Sequence, residues 1–218
     1  MIERIVPPVV AAVDAFQDLP DVELFDVERA AIARAVEKRR REFTTVRACA
    51  RAALAKLGLP PAPIIPGQRG APEWPPGIIG SMTHCAGYRA AAVAHAGEVA
   101  AIGLDAEPNA PLPPEVLLLI ARPEERSHLR ELAEADRDVC WDRLLFSAKE
   151  SVYKAWFPLT GRWLDFAEAT LTVDPAAGSF SARLLVPGPV TANGPVHGFD
   201  GRFLVSDGLL LTAIVLLA

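Results

Sequence analysis

Apolar residues along this chain recur at helical spacing in two long stretches and at strand spacing in several short ones, and the order helix then strands occurs twice. The first apolar run, Val9–Val13 behind Pro7-Pro8, is expected as a buried strand. Asp21–Asp26 is acidic with a Leu24-Phe25 insert, and from about Asp26 the pattern turns helical until Gly58 and Pro60 stop it beyond Leu57. A break near Arg41–Thr44, with Thr44 as N-cap, is expected to divide this stretch into two helices. Residues 59–80 are punctuated by proline and glycine yet carry Ile and Trp. That mixture predicts an ordered surface loop in which Gly67 and Gly70 let backbone approach a ligand closely.

Ile78–His84, Tyr88–His95 and Ala100–Glu107 read as three strands of a small antiparallel sheet backing the long helix, with Gly87 in the first turn. The second helical stretch comprises Glu115–Ala121, a charged helix from Pro123 through Leu132, and a long helix from about Asp136 to Phe157 that Gly161 closes. Ala169–Val173, Phe180–Val186, Arg202–Val205 and Leu209–Leu217 then read as strands. The plan predicts an α+β protein of two similar lobes, residues 1–103 and 104–218, although no sequence repeat marks a duplication.

The long helix is the centre of the chain. Its stretch F-S-A-K-E-S-V-Y-K-A-W-F sets Glu150 and Lys154 one turn apart on one face. Trp141, Leu145, Ala148, Val152, Ala155 and Trp156 form an apolar stripe opposite. Phe146 and Phe157 flank the charged face, so the helix is expected to be covered on both sides, and charges there require partners.

Length and composition narrow the setting. A chain of 218 residues, 51% apolar and 22% charged, makes one large soluble domain or two small ones sharing an interface. A net charge of −5 argues against non-specific nucleic-acid binding as the main activity. The run Lys38-Arg39-Arg40-Arg41 is a local basic patch that alone reads as solvated surface. Cys49, Cys85 and Cys140 are scattered, which indicates neither a disulfide framework nor a zinc site and fits a reducing cytosol. No basic start followed by an apolar core marks a signal peptide, and the apolar end Leu209–Ala218 is well short of the about 20 residues a membrane helix needs. Buried strand is the expectation there.

Two further features carry chemistry. Asp105 and Glu107, at i and i+2 near a strand end, point to one face, and their repulsion would be relieved by a divalent cation. Glu150 is the candidate third carboxylate for a hard oxygen site that leaves room for water and phosphate, as Mg²⁺ prefers. Taken alone, the pair also reads as ordinary solvated turn chemistry. Arg47 falls inside the apolar arc Phe43, Val46, Ala50, Leu54, Leu57; it is either an arginine with a packed stem and a solvated head, or a fork waiting for an anion.

G-L-D-A-E followed by F-S-A-K-E-S-V-Y-K-A resembles the paired signature of the 4′-phosphopantetheinyl transferase superfamily, Sfp/EntD type. R-R-R-E-F-T-T-V-R-A-C-A-R-A-A-L, P-P-A-P-I, G-S-M-T-H-C-A-G-Y and K-A-W-F-P-L-T look like its actinobacterial members, in the same order, over Arg39 to Leu164. The resemblance implies a single-chain pseudo-dimer with the active site between its lobes. It implies transfer of the phosphopantetheine arm of coenzyme A to a serine of an apo acyl or peptidyl carrier protein. Asp105, Glu107 and Glu150 would hold Mg²⁺, Glu150 would act as base directly or through water, and Lys154 would steady the diphosphate. Arg39, Arg47, Gly67, Gln68, Arg69, Thr83, His84 and Lys149 would complete the coenzyme A site, although His84 alone reads more simply as a hydrogen-bonded core histidine. Pro66 stands where close relatives tend to carry lysine. A cytoplasmic monomer without nucleic-acid or membrane partners is expected, with Val116–Ile120 open between carrier docking and core packing. The competing classes are a metal-dependent phosphodiester hydrolase or nuclease, which predicts a nucleic-acid groove, and a non-catalytic coenzyme A or carrier-binding module, which would tolerate loss of the third carboxylate.

Overall fold

Two antiparallel sheets, each backed by a long helix, account for the two apolar stretches in the computed structural model, which describes residues 1–218. The N-terminal sheet is built from β1 (Ala11–Ala15), β2 (Ile78–Cys85) and β3 (Tyr88–His95) in the order β1-β3-β2. Before it in sequence come α1 (Asp26–Ala31) and α2 (Glu37–Lys56). Cys49, Ala50, Ala53 and Leu54 of α2 pack on Ile78, Ala91 and Val93, so a short-side-chain seam lets helix and sheet approach closely.

The helix break falls between Ala31 and Glu37, not near Arg41–Thr44. No glycine or proline interrupts residues 41–44, and burial of Phe43 and Thr45 outweighs the weak helix propensity of the Thr pair. The three arginines of the basic run point different ways. Arg40 donates to the carbonyls of Ala33 and Ala35 and so ties down the connector, Arg41 pairs with Asp18 and Glu37, and Arg39 turns toward His84.

The third strand expected in this sheet belongs elsewhere. β4 (Val99–Pro108) pairs with β10 (Leu209–Leu217) in a five-stranded sheet of order β4-β10-β9-β6-β5, together with β5 (Ala169–Asp174), β6 (Ser179–Leu184) and β9 (Gly198–Ser206). Sequence proximity favoured a meander with β3, but β4 and β10 are covered on both faces, and each gains more by pairing with the other. Ile102, Leu104, Ala106, Leu209, Leu211 and Ala213 face the N-terminal sheet, while Ala101, Leu210 and Ile214 face the helix on the other side. Burial on two faces is why L-L-L-T-A-I-V-L-L reads as an unbroken apolar run. The boundary expected between residues 103 and 104 lies inside β4.

Between the sheets in sequence lie α3 (Pro114–Ile120), α4 (Pro123–Ala135) and α5 (Trp141–Thr160), and β7 (Val190–Thr191) with β8 (Gly194–Pro195) adds a small hairpin. α5 starts later than the periodicity predicts, because Asp136–Cys140 is a separate connector, and ends at Gly161 in the left-handed region (φ 63°). All six residues of its apolar stripe are buried. Of Val116–Ile120, Ile120 is buried while Leu118 and Leu119 stand exposed. No helix is long and apolar enough to cross a membrane, and all three cysteines are free.

Candidate active site

The site begins with a glycine. Gly103 lies on the face of β4 that meets α5, and a Cβ there would fall 2.0 Å from the Ser151 carbonyl oxygen and 2.9 Å from the Ala155 nitrogen. Only glycine permits this approach of helix backbone to strand. Two residues further, on the same face, Asp105 therefore lies beside the helical turn that carries Glu150 and Lys154. Ser147 and Ser151 hydrogen-bond Thr212 of β10 at 2.9 and 2.6 Å and fix the helix in that register.

Asp105 is buried at 6% exposure; its Oδ1 accepts from Lys154 Nζ at 2.7 Å and from Thr83 Oγ1 at 3.3 Å, while its Oδ2 is buried with no hydrogen-bond partner. Lys154 also donates to the Leu104 carbonyl at 2.8 Å. A buried carboxylate oxygen without a partner is uncommon and marks a place for a donor or a cation. Glu150 has its carboxyl pushed above the usual range by burial and then by the Asp105 charge, with Lys154 opposing. Glu107 is raised likewise, by burial first and Asp105 second, although Arg143 holds it at 3.0 Å. Both glutamates thus feel Asp105, yet no group of three or more His, Cys, Asp or Glu side chains is gathered tightly enough to hold a metal ion as it stands. Glu107 is drawn to Arg143, which also binds the carbonyls of Ala110 and Pro111. Asp105 Oδ2 and Glu150 are the hard oxygen donors left for a cation, and in kind they suit Mg²⁺.

A cleft of about 510 Å³ opens against this cluster and brings together Arg39, Arg47, Thr83, His84, Asp105 and Lys154, which the sequence placed in one site. Arg47 is 5% exposed, its Nε donates to the Ile64 carbonyl at 3.1 Å, and its guanidinium carbon lies 3.2 Å from the Phe43 ring centroid. The stem packs as expected, but the head borders the cleft without being solvated. Burial, partly countered by Glu28, pulls its pKa down to about 10, so it stays charged at neutral pH in a place that lacks solvation and favours an anion. His84 Nε2 faces the Arg39 guanidinium, so it is the accepting nitrogen and the ring proton sits on Nδ1, 3.7 Å from Glu42. Burial first and Arg39 second hold His84 below the usual imidazole range.

A second cavity of about 420 Å³ adjoins the first, sharing Met82 and Lys154 among others, and adds Arg69, Trp74, Glu150 and Tyr153. A third, of about 240 Å³, continues past Glu150 and Tyr153 to Trp163 and Phe166. Gly67 closes the base of a hairpin against Glu73 and Gln68 is exposed at its tip; neither borders these cavities. Lys149, grouped with the coenzyme A residues on sequence, borders the 240 Å³ cavity, but its ammonium turns to the interior. Its ammonium is 3.0 Å from Glu125 and donates to the Phe166 and Ala169 carbonyls at 2.7 and 3.1 Å, using all three donors.

Several site residues escaped the sequence reading. Gly103 was visible as a glycine inside a strand two places before Asp105, the usual mark of a close approach. Glu28 was not: its wholly buried carboxylate accepts from Arg51 and from the Ile64 N–H at 2.9 Å, and Ile64 in turn holds Arg47. Arg143, Tyr153 and Trp163 likewise carry no local signal.

Known proteins match along most of the chain. Residues 27–94 match the family profile described as the 4′-phosphopantetheinyl transferase N-terminal domain, and residues 101–193 match that of the 4′-phosphopantetheinyl transferase superfamily. The chain is 58% identical to 4′-phosphopantetheinyl transferase Svp of Streptomyces mobaraensis, over 100% of this chain and 90% of the relative. It is 50% identical to 4′-phosphopantetheinyl transferase Npt of Nocardia iowensis, over 98% and 99% of the two chains. With 4′-phosphopantetheinyl transferase PptT of Mycobacterium tuberculosis it shares 47% identity over 94% and 92%.

Proposed function

The chain belongs to the 4′-phosphopantetheinyl transferase superfamily, and from that premise we propose that it transfers the 4′-phosphopantetheine moiety of coenzyme A to a serine of an apo acyl or peptidyl carrier protein, releasing adenosine 3′,5′-bisphosphate. The observation that carries the reading is the convergence of Arg39, Arg47 and Lys154 with Asp105 in one cleft that adjoins Glu150. Cations from α2 and α5 line it, a buried acid oxygen stands unpaired in its wall, and a carboxylate of raised pKa lies next to it. A polyanionic co-substrate needs this set of parts, and phosphoryl transfer is chiefly positioning and charge neutralisation.

In this reading the two sheet–helix halves are the lobes of a pseudo-dimer, divided between β3 and β4 and not at residue 103, and the site is their interface. Arg39 and Arg47 bind phosphate groups of coenzyme A, Thr83 and His84 line the same wall, and Lys154 lies beside the diphosphate. Asp105 and Glu150 are the residues that would hold Mg²⁺, with Glu107 able to join on leaving Arg143. When bound, the ion would supply charge neutralisation on the diphosphate. The serine hydroxyl attacks the phosphorus attached to the pantetheine arm, the bond from that phosphorus to the bridging oxygen breaks, and the serine proton passes to Glu150 directly or through a water. Burial and Asp105 raise the Glu150 carboxyl in the metal-free site, and Mg²⁺ on the same carboxylate would lower it again, which favours the route through a water. The enzyme is expected to act as a monomer in the cytoplasm.

The test is incubation with coenzyme A, Mg²⁺ and a panel of apo carrier proteins, read by mass spectrometry. One pantetheine arm per carrier serine is expected, and Glu150→Gln should lower turnover by about 10²–10⁴-fold, the usual weight of a general base. No mass gain on any carrier would overturn the reading, and near-normal turnover by Glu150→Gln would remove that residue from the chemistry.

A further inference from the structure

The hairpin that carries Arg69 reaches from the N-terminal half onto the segment that follows α5. Gly67 N–H donates to the Ala71 carbonyl at 2.8 Å and a Pro66–Pro72 bridge closes its base. At its tip Arg69 has φ 54° and ψ 23°, a left-handed backbone that residues with a Cβ avoid unless something holds them there. The side chain makes no ion pair in this acidic protein. Its guanidinium carbon instead lies 5.3 Å from the centroid of the Trp163 ring, within cation–π range.

Trp163 is only partly covered. It is 54% exposed, and its other neighbour is Tyr153, whose ring centroid is 5.0 Å away and which stands 5.7 Å from Phe157 one turn along α5. Phe157, Tyr153 and Trp163 form a ladder of rings rising from the helix that bears Glu150 and Lys154, and the last ring is capped by a cation from the opposite half. Arg69 borders the 420 Å³ cavity and Trp163 the 240 Å³ one, while Glu150 and Tyr153 border both. The cation is therefore held over the passage where the two cavities meet.

We infer that Trp163 is a positioning residue for the transfer reaction: its indole face fixes the Arg69 guanidinium over the cleft beside Glu150 and Lys154, where it meets the diphosphate of coenzyme A. The inference rests on the transferase reading above. It gives a reason for an exposed tryptophan and for an arginine in left-handed backbone at once, since each is the other's partner. A free Arg69 would sample many positions over the cleft, and the stack removes that freedom before the anion arrives.

The test is direct binding of coenzyme A by titration calorimetry in the presence of Mg²⁺, independent of any carrier. Arg69→Ala should weaken binding, and Trp163→Ala should weaken it two- to fivefold, the size of an exposed cation–π contact. Trp163→Phe, which keeps a ring face, should recover most of the loss, whereas Trp163→Leu, which keeps apolar bulk without one, should not. In the Arg69→Ala background Trp163→Ala should cost nothing more, because the residue acts through the missing cation. Equal losses from Trp163→Ala with and without Arg69, or full affinity in Trp163→Leu, would overturn the inference alone. Absence of coenzyme A binding by the wild-type chain would overturn the functional reading and the inference with it.

Discussion

His84 shows how a single residue records the chemistry around it. Its Nε2 is turned to Arg39, its Nδ1 side to Glu42, and the Lys154 and Arg89 charges lie near enough to weigh against a proton. Burial and Arg39 together depress its folded pKa below the ordinary 6.5, outweighing the pull of Glu42. The sign of the stability effect follows. Above 6.5 the imidazole is neutral in both states; as pH falls, the unfolded chain takes the proton first, and the free-energy gap narrows until the lower folded pKa is passed. Thermal unfolding of the coenzyme-free protein should therefore show wild type losing Tm relative to His84→Gln between pH 7.5 and 5.5. A constant difference over that range would mean that folding leaves the ring's proton affinity unchanged, and a widening advantage of wild type that folding raises it; either overturns the expectation. Placing an uncharged imidazole next to Arg39 keeps that guanidinium free of a permanent anion, as the phosphate contact proposed for it would require.

At the scale of elements, the contact between β4 and α5 decides whether the site exists. Gly103→Ala adds one methyl 2.0 Å from the Ser151 carbonyl oxygen, and backbone at both sides must move to admit it. The expected cost is about 1–3 kcal/mol of overpacking, or a Tm lower by about 2–4 °C per kcal/mol for a chain of this size. Transferase turnover should fall by more than stability explains, because moving α5 off β4 separates Asp105 from Glu150 and Lys154. Normal turnover in a folded Gly103→Ala protein would show that the register of the two elements is not what sets the site. The elements themselves were mostly legible: the periodicity of Trp141–Trp156 and the apolar run Leu209–Leu217 are strong signals. What could not be read was partnership. Nothing local tells β4 to pair with β10 rather than β3, because that choice depends on two faces being buried by segments far along the chain. Nor does the A-K-E triplet reveal that adjacent helical residues point about 100° apart, sending Glu150 to the cleft and Lys149 to Glu125 in the interior. In α2 the expected break failed for the complementary reason, since burial of Phe43 and Thr45 overrode local propensity.

For the whole molecule the question is whether the two halves stand alone. Between them lies a cluster of fifteen buried residues to which both contribute: Ile2, Tyr88, Ala90 and Ala92 from the N-terminal half, Leu104, Leu209, Leu211 and others from the five-stranded sheet. β4 sits at its centre with its other face on α5, so separating the halves would expose one side of β4 and of β10 together. A Ser81 hydroxyl accepting from the Leu104 N–H at 3.0 Å and the Lys154–Asp105–Thr83 linkage cross the same boundary. Apolar area of this kind is worth about 25 cal/mol per Å², and neither sheet has a helix on the shared face to take its place. Unfolding should therefore be one cooperative event, in contrast to proteins whose lobes meet through a thin polar interface. Scanning calorimetry of the intact chain should give a single peak with calorimetric and van't Hoff enthalpies in agreement. The expressed fragment 1–97, which keeps β1, β2, β3 and α2 but loses β4, should be unfolded or aggregated. Two resolved transitions, or a folded monomeric fragment, would show that the halves are autonomous. In that case a mobile interface, and not a shared core, would bring Arg39 and Arg47 to Asp105 and Lys154.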